Sequence, residues 1–275
     1  MTYPLEAGGI GDYPVRVGSM LLTMVDPHQG YEKAYNRWYE RDHYYAGCMI
    51  GPWLFAGSRW VATRELKDAR WPADSKAVAD PIDHGSYVAI YWVEKGHHAD
   101  HFDDWARPQV ADLYRDGRGF PKRTHTHTAL FDYRGSSYRD GDPVPTVLAL
   151  DHGYGGLVIL WWDATSGSAA DLLSALGEYT DAALAGSPVE IAAAFTPCEG
   201  EEEVRKQQPM DLGSMPGGPE RLVQLLFVHG DVRAALPAVQ AYTDAVTGAG
   251  LATLALAAPW HRTVVGTDTY VDQLW

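Results

Sequence analysis

The 275-residue chain has few of the features that mark disulfide-rich, nucleic-acid-binding or membrane proteins. Its only two cysteines, Cys48 and Cys198, exclude a disulfide scaffold. A formal charge of -14, from 22 basic and 36 acidic residues, repels phosphates and anionic lipid surfaces. No apolar run approaches the ~20 residues that span a bilayer, and no signal-like segment opens the chain. We therefore expect a cytoplasmic protein with reduced thiols and with no nucleic-acid or membrane partner.

Two common catalytic motifs are also missing. No Gly-x-Ser-x-Gly elbow occurs, which argues against the usual serine hydrolase. The glycine-rich stretch at 153–156 precedes a predicted strand instead of following one, so it does not match a phosphate-binding loop. Candidate chemistry must therefore come from other residue types, and the chain is rich in aromatic residues and histidines.

The most informative stretch is residues 31–51, YEKAYNRWYERDHYYAGCMIG. At about 100° per residue, its aromatic and small residues fall on one arc and most of its charged residues on the other, which predicts an amphipathic helix. Trp38, Tyr39, Asp42 and His43 lie on or beside the apolar arc. Because buried polar atoms need hydrogen-bond partners, a helix that buries such groups instead of leucine is typical of a pocket wall.

The order of predicted elements indicates the fold. Strands at 18–25, 53–64, 86–94 and 123–133, with the aromatic helix and a second helix at 99–115, give the order βαββαβ, and the same order returns from residue 155. We predict an α+β protein of two tandem ferredoxin-like βαββαβ modules, packed sheet to sheet as an intramolecular α/β barrel. The predicted segments are an N-terminal arm (1–17), a first module with the active pocket (18–134), a linker (135–153), a second module acting as scaffold (154–258) and a docked C-terminal tail (259–275).

The stretch WYERDHYYAGCMIGP, residues 38–52, resembles the Trp-Tyr-x-x-x-His…Pro-Gly pattern that ends the first helix in the dimeric α/β-barrel superfamily. The EthD-like and antibiotic-biosynthesis-monooxygenase-like members are the most similar, although Gly51 and Pro52 stand in reversed order here. The superfamily includes oxygenases, isomerases, cyclases, lyases and haem-binding members. The resemblance implies a small-molecule pocket between the sheet and the helices of one module, bordered by Trp38, Tyr39, Asp42 and His43.

We predict that His43 is the catalytic residue, acting with Asp42 and Tyr39, because an imidazole near a carboxylate and a phenol can transfer protons near neutral pH. The alternative is that Asp42 pairs with an arginine and His43 is a surface histidine. The predicted substrate-binding residues share an aromatic or cationic side chain on an element that could face the pocket; they are Trp38, Tyr35, Arg59, His125, His127 and Tyr270.

The remaining histidines suggest a metal site that the topology disfavours. His97 and His101 are four apart on a helix, and His125 and His127 alternate on a strand, which should place each pair on one face. The two pairs are expected at opposite ends of the module, and neither pair supplies enough ligands alone. We therefore predict no metal and no other cofactor, and we do not expect haem because no attachment sequence is present.

These observations lead to a functional prediction with alternatives. We predict an acid/base enzyme without a cofactor, a lyase, cyclase or isomerase, acting on an apolar aromatic, polyketide-like or terpenoid small molecule. The first alternative is a cofactor-independent monooxygenase, and the second is a non-catalytic small-molecule binding protein. The sequence also allows a homodimer.

Overall fold

The computed structural model describes residues 15–200, 205–206, 208 and 210–275. The predicted N-terminal arm lies outside the described residues except for its last three positions. Eight strands in the described part form one closed barrel. They are β1 (Val17–Pro27), β2 (Leu54–Val61), β3 (Tyr87–Glu94), β4 (Arg123–Tyr138), β5 (Gly156–Ala164), β6 (Val189–Pro197), β7 (Arg221–Val228) and β8 (Ala252–Arg262).

The order of strands around the barrel confirms the predicted fold. It reads β1-β3-β2-β8-β5-β7-β6-β4, and every neighbouring pair is antiparallel. Each half is therefore a four-stranded ferredoxin-like sheet, in the order β4-β1-β3-β2 for the first module and β8-β5-β7-β6 for the second. Two seams join the halves. The β4–β6 seam extends from Phe131 to Tyr138, whereas the β2–β8 seam contains only the pairs of Trp60 and Val61.

Helices cover the outer faces of both sheets. On the first module, α1 (Glu32–Trp38) continues through two π-helical turns, Tyr39–His43 and Tyr45–Met49. After the short α2 (Arg64–Asp68), α3 (His98–His101) runs through another π-helical turn (Phe102–Ala106) into α4 (Arg107–Arg115). Pro108 lies in the first turn of α4, where its missing N–H coincides with the change from π-helical to α-helical hydrogen bonding. The second module carries α5 (Ala169–Ala175), α6 (Gly177–Leu184) and α7 (Leu236–Gly248).

In the part of the chain that the structure describes, the inside of the barrel is packed with large apolar side chains. Trp60, Trp92, Trp161 and Trp260 are all fully buried, and Trp92 stacks on Phe195 with ring centroids 5.3 Å apart. Aromatic side chains of this size fill the space between the two sheets. Space for a ligand therefore lies outside the sheet, beneath the helices.

The C-terminal residues run along α1. The Asn36 side chain donates to the Thr267 carbonyl at 2.9 Å, and the Trp275 indole donates to Glu32 at 2.6 Å. Leu274 is fully buried in the outer core of the first module. These contacts hold α1 against the barrel. Among the described residues, no helix combines the length and apolar character needed to cross a bilayer.

Candidate active site

A cavity of about 150 Å³ lies between the first module's sheet and its helices. Its floor is the outer face of β1, where Leu21, Thr23 and Val25 alternate, together with the adjacent part of β4. Its roof is formed by the π-helical turns that follow α1 and α3. Such turns are rare in proteins and recur at functional sites. Described residues of the connection between β6 and β7, Gln208, Met210 and Leu212, complete the wall.

A bulge in β4 separates two histidines that the alternation predicts on one face. In the pairing with β1, Met24 faces His127 and Val25 faces His125, so the intervening Thr126 has no partner. His125 consequently lines the outer cavity, whereas His127 points into the barrel, where its ring lies 5.9 Å from that of Trp161. The same-face prediction is wrong, and the structure does not bring His127 to the cavity.

His125 contributes an unpartnered nitrogen to the site. Its Nδ1 lies 2.8 Å from the Thr128 hydroxyl, which lies 2.8 Å from the hydroxyl of Thr23. Its Nε2 is buried and has no hydrogen-bond partner among the described residues. Burial, reinforced by Arg123 and His43, lowers the pKa of His125 to about 3. The imidazole is therefore neutral at pH 7, with Nδ1 in contact with a hydroxyl and Nε2 without a partner in the described part of the chain.

His43 lines the same cavity from the first π-helical turn. Its ring stacks on Trp38 with centroids 4.6 Å apart and planes 17° apart. On its other side is Gly47, where an added Cβ would lie 2.8 Å from the imidazole. Burial, followed by the charge of Arg123, lowers the pKa of His43 to about 3, although Asp42 opposes this shift. His43 is therefore also neutral at pH 7.

The predicted partners of His43 are placed differently. Tyr39 lines the cavity, but its hydroxyl is paired with that of Tyr91 at 2.7 Å, and burial raises its pKa well above 10. Asp42 does not line the cavity and forms an ion pair with Arg118. The predicted set of His43, Asp42 and Tyr39 is thus not assembled. For Asp42, the alternative of pairing with an arginine describes the structure.

The other predicted substrate-binding residues lie behind or away from the cavity. Trp38 supports His43 from behind, and Tyr35 is buried in the core against Tyr87. Arg59 is buried and paired with Glu40 at 3.2 Å. Tyr270 stacks on His261 with centroids 5.3 Å apart, in the C-terminal segment. None of these four side chains lines the cavity.

Several cavity residues were not among the catalytic or substrate-binding residues predicted from the sequence. They share a polar side chain that a long-range contact brings to the cavity; they are Thr23, His101, Arg107, Arg123 and Thr128. His101 Nδ1 donates to the Pro52 carbonyl at 2.6 Å, and it lines the same cavity as His125, although topology suggested that the two lie far apart. Arg123 and His125 are two apart on β4, and this spacing was the signal available in the sequence.

The second module has a cavity of a different character. Its volume is about 220 Å³, and its lining is mostly small residues, with Gln224, Thr180 and two serines as the polar groups. No titratable side chain among the described residues lines it. Proton-transfer groups are therefore concentrated in the first module.

Comparisons with known proteins identify the fold. No protein-family model matches the chain, and no curated protein matches it either. Among solved structures, an anthrone oxidase-like protein matches with a TM-score of 0.52 at 9% identity, over 91% of this chain and 94% of that one. A candidate chlorite dismutase matches with a TM-score of 0.52 at 10% identity, over 94% and 100%. A mutant chlorite dismutase from Candidatus Nitrospira defluvii, in complex with cyanide, matches with a TM-score of 0.50 at 9% identity, over 94% of each chain.

The chain has the dimeric α+β-barrel fold. At these identities the likeness is one of fold, and both halves of the barrel are contained in a single chain. The likeness contradicts the prediction of a protein without a cofactor, because chlorite dismutases are haem-binding enzymes with this fold. The prediction is corrected on this point.

The first-module cavity of this α+β barrel meets one requirement of haem and fails another. The unpartnered Nε2 of His125, with Nδ1 in contact with a hydroxyl, is a nitrogen of the kind that would hold a haem iron. The cavity volume of about 150 Å³, however, is similar to that of cavities that hold a single benzene ring. A porphyrin has four pyrrole rings and does not fit in the cavity of this structure. No reaction step through haem is therefore derived.

Proposed function

We propose that the protein is an oxidising enzyme that acts on a hydroxyl-bearing aromatic molecule of about one ring, in the cavity of the first module. The unpartnered Nε2 of His125 carries this proposal, because with the ring proton on Nδ1, facing the Thr128 hydroxyl, this buried nitrogen accepts a hydrogen bond from a substrate O–H. The mainly apolar lining suits a ring. A cavity of about 150 Å³ is too small for the polyketide-like or terpenoid substrates expected from the sequence.

The residues divide the work as follows. His125 accepts the proton of the substrate hydroxyl at Nε2, and the Thr128 and Thr23 hydroxyls hold the ring in place through Nδ1. Arg123 lines the same cavity, and its positive charge stabilises the substrate anion. For a dihydroxybenzene, the anion gives up two electrons and its remaining hydroxyl proton. Dioxygen takes up the two electrons together with two protons, one of them from His125, and the products are a quinone and hydrogen peroxide.

The low pKa of His125 sets a condition on this step. A base with a pKa of about 3 is a weak acceptor while the cavity holds no anion. An anion formed beside it raises the pKa of the imidazole, because opposite charges at short range stabilise the protonated form. Proton transfer is thus coupled to formation of the ion pair. His43, on the opposite wall, is the second proton acceptor, and Tyr39 contributes an apolar ring face.

Further points of this proposal concern the origin of the two modules, the EthD-like relationship, the domain boundaries, the location and the oligomeric state. The two modules arose by duplication of one βαββαβ unit, supported by their identical strand order. The EthD-like relationship rests on residues 38–52 alone. The domain boundaries, the cytoplasmic location and the homodimer remain predictions. In the structure β4 reaches Tyr138 and β8 reaches Arg262, so strands enter the predicted linker and the predicted tail.

The experiment is oxygen uptake and product analysis with a panel of single-ring phenols and dihydroxybenzenes. Replacing His125 with Asn keeps a donor near the Nδ1 position and removes Nε2. We expect kcat to fall by about 10² to 10⁴, the usual contribution of a general base. The exposed His28, changed to Asn, is the matched control. Tight binding with unchanged phenol would indicate a binding protein, and full activity of the His125 variant would refute the assignment.

A further inference from the structure

A second cluster of potential ligands lies on the same outer face of the first module, outside the cavity. One ring nitrogen of His98, one carboxylate oxygen of Asp132 and the sulfur of Cys198 all lie within 4.8 Å of one another. His98 lies in α3, Asp132 lies in β4, and Cys198 directly follows the last residue of β6. Residues so distant in the sequence meet only because the barrel closes.

The spacing of two of the three donor atoms is close to that of a tetrahedral metal site. The Cys198 sulfur lies 3.4 Å from Asp132 Oδ1. Zinc–sulfur and zinc–oxygen bonds of about 2.3 and 2.1 Å, at a tetrahedral angle, place these two atoms roughly 3.6 Å apart. The pair therefore needs only a small adjustment to hold an ion.

The histidine of the cluster has a buried hydroxyl beside one ring nitrogen, a contact that metal-bound histidines commonly make. His98 Nδ1 lies 2.9 Å from the hydroxyl of Ser19, which is 1% exposed on β1. With Nδ1 donating to this hydroxyl, Nε2 is the unprotonated nitrogen that would ligate an ion. The neighbouring His97 is different, because it stacks on Trp53 at 3.5 Å and pairs with Asp100. The arrangement at His98 is therefore specific to that position.

We propose that His98, Asp132 and Cys198 bind a divalent transition-metal ion of the zinc class. Two anionic ligands and one imidazole neutralise the double positive charge, and three protein ligands leave the fourth position for water or a small ligand. The partial exposure of all three residues provides a route for the ion. This site differs from the histidine pairs that the sequence suggested, and it does not depend on the proposed oxidation.

An ion at this position would connect the two modules. Asp132 and Cys198 lie on either side of the β4–β6 seam, where Phe131 pairs with Pro197, and His98 begins the helix that leads into the cavity roof. The ion therefore ties the two modules together beside the active cavity. It also anchors the start of the β6–β7 connection, whose residues Gln208 and Met210 line that cavity.

Cobalt(II) binding to the full chain, after treatment with a chelator, tests the proposal. We expect one equivalent to bind, with a thiolate-to-cobalt charge-transfer band that zinc abolishes by competition. Cys198→Ser should remove the band. His98→Gln and Asp132→Asn should each weaken binding at least tenfold, and Ser19→Ala should weaken it about 10- to 100-fold.

Two matched controls make the result decisive. Cys48→Ser removes the other cysteine and should keep the band, and His97→Gln should keep the affinity. Circular dichroism and thermal melting establish that each variant is folded. The proposal is overturned if the folded wild type gives no thiolate band, if Cys198→Ser retains it, or if Cys48→Ser abolishes it.

Discussion

The stability of the barrel should depend on pH through His127, and the effect can be calculated from its position. His127 is completely buried, and burial lowers its pKa to about 3. Its Nδ1–H donates at 2.9 Å to the Ser214 hydroxyl, which donates to the Val78 carbonyl at 2.6 Å, so Nε2 is the unprotonated nitrogen. Folding therefore requires the neutral form of His127.

The direction and size of this pH effect on the free energy of unfolding follow from the linkage between protonation and folding. The unfolded chain binds a proton at His127 below its ordinary pKa of about 6.5, whereas the folded chain does so only near 3. The free energy of unfolding therefore has its full value above pH 6.5, where His127 is neutral in both states. It decreases as the pH falls from 6.5 toward 3, because only the unfolded chain takes up the proton in this range. At pH 5 the free energy of unfolding is lower by roughly 2 kcal/mol. This pH lies about 1.5 units below the unfolded-state pKa of 6.5, and each unit corresponds to about 1.36 kcal/mol. A loss of roughly 2 kcal/mol is a large part of a typical stability of about 5 to 15 kcal/mol.

The assay compares urea unfolding of the wild type and of His127→Asn at pH 7 and pH 5. The amide keeps a donor for Ser214 but has no group that titrates. We expect the variant to be less stable at pH 7, yet to lose roughly 2 kcal/mol less than the wild type between the two pH values. His28→Asn, at an exposed histidine, should behave as the wild type. If the wild type and His127→Asn lost the same free energy of unfolding between pH 7 and pH 5, the side chain of His127 would not be buried away from water.

Three further predictions follow from the site and its surroundings. Gly47→Ala should lower kcat at least tenfold with the fold intact, because its Cβ would lie 2.8 Å from the His43 imidazole; unchanged kinetics would place His43 outside the reaction. Asp42→Asn should change kcat by less than twofold, since this carboxylate pairs with Arg118 outside the cavity, and a steady-state pH profile would reveal any larger role. Leu274→Ala should cost about 2 to 5 kcal/mol in urea unfolding, because a fully buried leucine is removed; a loss under ~1 kcal/mol would show that the C-terminal segment is not docked.

Local sequence patterns were enough to predict the fold. The alternating and β-branched runs and the aromatic helix define elements whose order is βαββαβ twice, and a half-exposed sheet of that kind must bury its open face. The structure meets that requirement by closing the barrel through β4–β6 and β2–β8. His43 and Tyr39, which the resemblance implied as pocket residues, line the cavity together with His125.

The rest of the site depends on contacts between distant parts of the chain. Periodicity cannot show the single extra residue at Thr126, which turns His127 into the barrel while His125 faces the cavity. The position of the Asp42 side chain outside the cavity depends on its ion pair with Arg118, which lies 76 positions further along the chain. The sequence alone determined which segments become strands and helices, because hydrophobic periodicity is a local property. Only the tertiary structure decided which polar groups share a cavity, since register, bulges and ion pairs are settled when the strands pair.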